Sequence, residues 1–257
     1  MDLNNSKKII LITGATSGIG EAAANLLSNK YNLILCGRRE ERLSKIKNRL
    51  SKKTEVITLN FDVRSKEDVT DKINSLPDKW KKINILINNA GNAHGLDFID
   101  EGDISDWDKM IDINVKGLLY VTKQVLSFML IQNSGHIINV GSIAGKEVYP
   151  KGNVYCASKF AVDALSEGMR LDLVEKNIKV SQINPGLVIT EFSKVRFKND
   201  LEKAKNVYAG MEPLCADDIA DVISFLIERP DNVNISDITI LPKSQASSVV
   251  VNRKTNI

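Results

Sequence analysis

The segment NVYCASKFAV, residues 153–162, places Tyr155 and Lys159 four positions apart. On a helix that spacing is about one turn, so both side chains leave from the same face. Of the five tyrosines in the chain, only Tyr155 has a lysine four places on. A phenol can give or take a proton, and a neighbouring ammonium favours its ionised form. The same spacing also suits a tyrosine packed on a lysine stem. The pair therefore acquires meaning from whatever the rest of the chain places beside it.

A second group of residues could hold an anion. TGATSGIG, residues 13–20, follows an apolar run and opens an amphipathic one. Gly14 permits a tight turn, while Gly18 and Gly20 let backbone N–H groups and a helix start approach a pyrophosphate. The spacing departs from G-x-G-x-x-G, because three residues separate Gly14 from Gly18. The next apolar run ends Cys36-Gly37-Arg38-Arg39, with no acid until Glu40. An acid there would accept from a ribose 2′-hydroxyl, whereas planar, permanently charged guanidinium groups suit a 2′-phosphate. Two surface arginines at a helix start are the bland alternative, although positive charge is mildly unfavourable there. The pattern favours NADP over NAD.

These residues need a scaffold, and the chain supplies one by alternation. Strands are expected at 8–13, 32–37, 55–61, 83–88, 135–141, 178–184 and 237–241, several of them apolar almost throughout. Helices are expected over 18–30, across EERLSKIKNRL, over 65–76 behind a Ser-x-x-Asp start, and from Ser105 to about Gln132. Further helices are expected from Asn153 to Lys176 and to about residue 228. Repeated βα units imply an α/β fold, a Rossmann-type doubly wound parallel sheet of about seven strands with helices on both faces. No linker divides the chain, so residues 1–257 are read as one domain.

Composition narrows the function. Apolar residues are 43% and charged residues 26%, enough to bury a full core. The net charge of +3 is small and dispersed, which argues against nucleic acid or an anionic membrane surface as partner. The basic run at 45–53 reads as a solvated helix face. Cys36, Cys156 and Cys215 form no C-x-x-C, as expected of free thiols in a reducing compartment. His94 and His136 lack ligand spacing, so each is expected in a loop or at a strand edge, and no metal is expected. The run IILI is too short for a signal core or a membrane span, and the expected location is cytoplasmic.

Six motifs in order now give the chain a resemblance to the short-chain dehydrogenase/reductase family, over nearly its whole length. TGATSGIG resembles TGxxxGxG, which implies that Gly14, Thr16, Ser17, Gly18, Ile19 and Gly20 hold the coenzyme. Asp62-Val63 resembles an adenine contact, and NNAG, with Asn89, the motif that supports the sheet beside the coenzyme. Asn114, Ser142, Tyr155 and Lys159 fall at the family's catalytic tetrad. PGLVIT resembles PGxVxT, which implies a coenzyme role for Pro185, Gly186, Val188 and Thr190, with Val188 backbone and Thr190 hydroxyl on the nicotinamide carboxamide. Hydride transfer between the nicotinamide and an alcohol or carbonyl carbon follows, with Tyr155 as proton donor and Ser142 polarising the oxygen.

Lys159, assisted by the positive charge of the oxidised nicotinamide, is implied to acidify Tyr155 and also to bind the nicotinamide ribose. Asn114 is implied to hold a relaying water, and an Asn within a helical run suits a local bend. Lowering a phenol by three units takes about 4 kcal/mol, and one positive charge about 4 Å away supplies a comparable amount at an effective dielectric near 20. With this support the opening pair reads as catalytic.

NNAGNAHG, GHIINVGSIAG, PGLVITEFSKVRF and VNISDITILPKSQ are similar to stretches of an NADP-dependent serine/3-hydroxy acid dehydrogenase group. The implied substrates are serine, small 3-hydroxy acids and 3-oxo acids such as malonic semialdehyde. The segment 191–214 is expected to cover the substrate. Arg196 is a possible carboxylate anchor, unless it pairs with an acid or faces solvent. A 3-oxoacyl carrier-protein reductase is the alternative enzyme, although the ending ITILPKSQASSVVVNRKTNI lacks the VDGG-type segment of such proteins. A non-catalytic NADPH sensor is the alternative outside catalysis. The tail 242–257 either crosses to a neighbouring subunit or is loose. Surplus apolar residues on the two longest helices, set beside the family's assemblies, imply a homotetramer.

Overall fold

Isoleucine- and leucine-rich strands without polar alternation cannot leave either face in water, and crossover helices are what cover them. The computed structural model of the chain, which describes residues 7–254, has this arrangement. Its strands are β1 (Ile9–Thr13), β2 (Asn32–Gly37), β3 (Val56–Asn60), β4 (Ile83–Asn88), β5 (Gly135–Val140), β6 (Ile178–Pro185) and β7 (Asp237–Ile240). They form one sheet in the order β3-β2-β1-β4-β5-β6-β7, every neighbouring pair parallel.

The helices are α1 (Gly18–Leu27), α2 (Glu40–Leu50), α3 (Lys66–Asn74), α4 (Ile104–Ile111), α5 (Leu118–Gln132) and α6 (Asn153–Leu173). After β6 come the short α7 (Phe192–Arg196) and α8 (Leu201–Asn206), then α9 (Ala216–Ile227). On one side Ile10, Ile12, Leu33 and Leu35 pack under α1, α2 and α9, through Leu27, Leu43, Ile46 and Ile223. On the other, Leu11, Ile34, Leu86 and Ile137 pack under α3 and α5, through Val69, Ile73, Val121 and Val125. The alternation in β4 breaks after Ile83, where the register with β1 shifts and Asn84 Oδ1 accepts the Ile9 N–H at 2.8 Å.

Three expectations are corrected. The helix expected over 105–132 is interrupted: residues Asp112–Gly117 form a π-helical turn between α4 and α5, and this turn carries Asn114. The described part of the C-terminal tail neither leaves the subunit nor hangs free. Arg253 donates to the Ala209 and Val207 carbonyls at 2.7 and 2.9 Å, and Lys254 N–H to Gly210 at 2.7 Å. Residues 255–257 of that tail lie outside the described residues.

His136 is neither in a loop nor at an edge; it is buried in β5, an interior strand, with Nε2 2.8 Å from Ser181 Oγ on β6. Burial, with a smaller contribution from Lys179, pushes its imidazolium pKa down to about 3. In the unfolded chain the same ring titrates near 6.5. The folded value lies below the unfolded one, so the unfolded chain takes up a proton that the folded chain refuses. Above about pH 6.5 neither state binds it, and as pH falls toward 3 stability declines by up to about 1.4 kcal/mol per unit. Between pH 6.5 and 5, before most carboxylates titrate, the urea midpoint of the wild-type chain should fall with acidification. The fall should be shallower in His136→Gln.

Candidate active site

The strand order reverses between β1 and β4, and loops leaving the C-terminal ends of those strands must diverge there and open a crevice. A cleft of about 620 Å³ occupies this position. Gly14, Thr16, Ser17, Gly18, Ile19, Arg38, Arg39, Asp62 and Val63 line it from one side of the reversal, and Asn89 from the end of β4 across it. From the other come Ser142, Tyr155, Lys159, Pro185, Gly186, Val188, Thr190 and Arg196. Of the residues singled out from sequence, only Gly20 and Asn114 lie behind the lining.

The glycine-rich turn is shaped by backbone that other residues would not adopt. Gly14 and Gly18 have φ of +65° and +54°. A Cβ on Gly14 would stand 2.8 Å from Asn89 Nδ2, and one on Gly20 would run into the Gly14 carbonyl. Asn89 fastens this turn to the end of β4: its Nδ2 donates to the Thr13 carbonyl at 2.9 Å, and its N–H donates to Thr13 Oγ1 at 3.0 Å. α1 starts at the turn without a side-chain cap, so its first N–H groups face the cleft unshielded. This cradle fits a dinucleotide pyrophosphate.

Charge gathers at the α2 end. Arg39 donates to Thr16 Oγ1 and Ser17 Oγ at 2.8 and 2.7 Å, and to Glu191 at 2.8 Å. Arg38 reaches Asp62 Oδ2 at 3.4 Å, and Arg64 reaches the same oxygen at 2.7 Å. Burial works against Asp62 ionisation, yet Arg64 and Arg38 hold its carboxyl below the usual value. Arg42, one turn beyond Arg39, holds Glu191 from the other side at 2.9 Å. No acid precedes Glu40 after β2, and the Arg38 and Arg39 guanidinium groups line the cleft where an adenosine 2′-phosphate would be recognised.

At the other end α6 carries Tyr155 and Lys159 on its buried face, 8% and 6% exposed. Lys159 Nζ donates to the Val140 carbonyl at 3.0 Å, and burial draws its pKa down to about 8. At Tyr155 burial is the largest influence. Burial raises the phenol above its ordinary value and Tyr149 adds to the rise, while Ser142 and Arg196 pull it down. Desolvation penalises the phenolate, while Lys159, drawn down to about 8, still carries most of its charge at neutral pH. In the free chain Tyr155 is a proton donor.

Asn114 is held by protein on both sides of its amide. Its Oδ1 accepts the Asn92 N–H at 2.9 Å, and its Nδ2 donates to the Asn92 carbonyl at 2.8 Å and to Ser158 Oγ at 2.9 Å. Both amide protons are committed to protein, so the side chain braces the loop after β4 against α6. A Cβ on Gly91 would come within 3.1 Å of Asn114 Oδ1 and 3.5 Å of Lys159 Nζ, so this glycine lets the loop pass close over both.

Arg196 closes the site from above. Its Nε donates to the Gly95 carbonyl at 3.1 Å and its Nη1 to Tyr149 Oη at 3.0 Å, with the guanidinium 5.6 Å from the Tyr155 ring centre. Its Nη2 is buried without a partner, and no carboxylate within ion-pair distance was found among the described residues. Phe192 packs edge-on against Tyr155 with ring centres 5.6 Å apart. The covering segment is clipped at its base by Ile189 N–H donating to Leu214 and Leu214 N–H donating to Leu187, at 2.8 and 3.0 Å.

Sequence reasoning missed Arg42, Arg64, Tyr149, Tyr208 and Glu191. Arg42 had a signal, since it stands three residues after Arg39 on the same helix face. Tyr149 and Glu191 had none, because their partners are far away in the chain. Among the described residues no group of three His, Cys, Asp or Glu could hold a metal, and no helix is long and apolar enough to cross a membrane.

Comparison with known proteins places this geometry. Residues 8–201 match the family model described as short chain dehydrogenase. The chain is 42% identical over 240 residues to the NADP-dependent 3-hydroxy acid dehydrogenase YdfG of Salmonella typhi, covering 93% of this chain and 96% of that protein. It is also 42% identical over 251 residues to an NADP-dependent 3-hydroxy acid dehydrogenase of Schizosaccharomyces pombe, covering 96% and 97%. Among solved structures it is similar to the closed form of serine dehydrogenase complexed with NADP+, with TM-score 0.90 and 39% identity, covering 96% of this chain and 100% of that one.

The brace made by Asn114 is testable apart from any chemistry. Asn114→Ala should strand the buried N–H and carbonyl of Asn92 and lower folding stability by about 2–3 kcal/mol, measured by chemical denaturation. An unchanged midpoint would mean that the side chain has no bracing role.

Proposed function

The chain belongs to the short-chain dehydrogenase family, and from that premise we propose that it is an NADP-dependent oxidoreductase acting on small 3-hydroxy acids or serine-like alcohols and the matching 3-oxo acids. The single observation that carries the substrate class is Arg196, a cleft guanidinium with one buried Nη and no carboxylate partner found among the described residues. A substrate carboxylate satisfies both lone needs at once, the charge and the stranded N–H group. The relatives' names point to the same class.

The cradle from Gly14 to Gly20, with Asn89, holds the dinucleotide; Arg38 and Arg39 receive its 2′-phosphate, and Asp62-Val63 its adenine. Pro185, Gly186, Val188 and Thr190 border the nicotinamide end. When bound, NADP supplies the hydride acceptor or donor. Tyr155 passes the proton: its phenol, kept protonated by burial, gives a proton to the carbonyl oxygen in reduction and takes one back in oxidation. Ser142 hydrogen-bonds the same oxygen. Lys159, anchored to Val140, keeps partial positive charge beneath the pair near neutral pH.

Localisation in the cytoplasm and assembly as a homotetramer belong to this reading. The second is supported by Leu119, Phe160 and Leu171, which remain exposed on α5 and α6. A monomer mass at micromolar concentration would remove it.

Two experiments test the chemistry. Arg196→Ala should raise KM for 3-hydroxy acids by roughly tenfold or more, the worth of a charged hydrogen-bonded contact, and change neutral alcohols of equal size far less. Equal effects on both would remove Arg196 as a carboxylate anchor. The pH dependence has a definite sign, because the Tyr155 phenol lies above its ordinary value. Oxidation needs phenolate, so its kcat/KM should rise through the alkaline range, whereas reduction should hold level and then decline. A flat oxidation profile from pH 7 to 10 would count against Tyr155 as the titrating group.

A further inference from the structure

Glu191 is the residue between the PGLVIT segment and α7, and its carboxylate lies between two arginines of another element. Arg39, the N-cap of α2, reaches it at 2.8 Å and Arg42, in the first turn, at 2.9 Å. Arg39 is also fixed to Thr16 and Ser17, so α2, the glycine-rich turn and the start of α7 meet in one hydrogen-bonded cluster. Burial works against Glu191 ionisation, yet the hydrogen bonds from Arg39 and Arg42 hold its carboxyl below the usual value.

The other end of α7 is Arg196, whose guanidinium sits between Gly95, Tyr149 and the Tyr155 ring. A helix of five residues thus has one end on the arginines that face the adenosine pole and the other on the reacting end of the cleft. Phe192 and Ser193, between those ends, pack on Tyr155 and Tyr208. A displacement of Glu191 would be passed along one rigid turn of helix.

We propose that Glu191 is a built-in stand-in for the coenzyme's 2′-phosphate, a carboxylate latch that the phosphate displaces from Arg39 and Arg42, freeing α7 to reposition Arg196. The exchange is favourable in charge, because a phosphomonoester carries close to two negative charges at neutral pH and a carboxylate one. It is selective, because a ribose hydroxyl brings no charge to replace the carboxylate on the guanidinium groups. The 2′-phosphate would in this way report to the substrate end of the cleft, which NAD could not do. This inference rests on the NADP reading above.

The test uses binding of half-coenzymes, so it does not require turnover. Glu191→Gln removes the charge at a partly exposed position and keeps a similar shape. It should bind 2′,5′-ADP about three- to tenfold more tightly than wild type, the scale of two exposed ion pairs, with 5′-AMP affinity unchanged. In wild type, 2′,5′-ADP should also speed amide exchange across residues 192–198, whereas in Glu191→Gln that segment should exchange fast without ligand. Weaker or unchanged binding of 2′,5′-ADP by the variant, or equal tightening of 5′-AMP, overturns the latch alone. Wild-type protein that binds the two nucleotides equally removes the NADP reading, and the latch with it.

Discussion

Desolvation of two ionisable side chains on one face of α6 is the constraint on which the rest of the site depends. Tyr155 and Lys159 are both buried, and burial drives their pKa values apart, the phenol upward and the ammonium down to about 8, because neither charged form is welcome. The outcome is a phenol that keeps its proton and an amine that holds its own less firmly than a solvated lysine. A site so arranged favours donating a proton to an incoming oxygen. Ser142, Arg196 and the Val140 carbonyl are the polar groups that make this burial tolerable.

The scaffold serves that burial at some distance. A π-helical turn inserts an extra backbone step into what would otherwise be one helix, and it delivers the Asn114 side chain to Asn92 on one side and Ser158 on the other. Ser158 also donates to the Tyr155 carbonyl at 2.7 Å, so the brace ends one hydrogen bond from the phenol's own backbone. Gly91 passes over this region where a side chain would not fit. The irregular backbone coincides with the point where the loop after β4 is tied to α6.

Much of this was legible in the sequence, for reasons that differ by element. The strands announced themselves because both faces of a parallel sheet are buried, so runs such as INILIN carry no polar alternation. The Ser65 start of α3 was legible because capping is local, and its Oγ does accept from Asp68 N–H at 3.1 Å. The placement of His136 was not legible in this way, and at Asn114 a bend was legible but its π-helical form was not. A histidine's burial is decided by what lies across the sheet, and a π turn leaves no periodic mark in so short a stretch. The burial of Tyr155 and Lys159 was not legible on the same ground, since spacing gives proximity but says nothing of the surrounding dielectric.

The covering segment marks where local reasoning ends and three-dimensional argument begins. Glu191 and Arg196 are five residues apart, yet their partners come from α2, from the loop after β4 and from the loop before α6. Exposed ion pairs are individually weak, so the contacts at Glu191 can be exchanged for a stronger anion without threatening the fold. The contacts at Arg196 are more buried and leave one N–H group without a partner, so that end is incomplete until an acceptor arrives. A segment that is easily released at one end and unsatisfied at the other is suited to move when ligands bind. Stability of the closed arrangement then depends on what the cleft contains, and the sheet beneath has no part in the change.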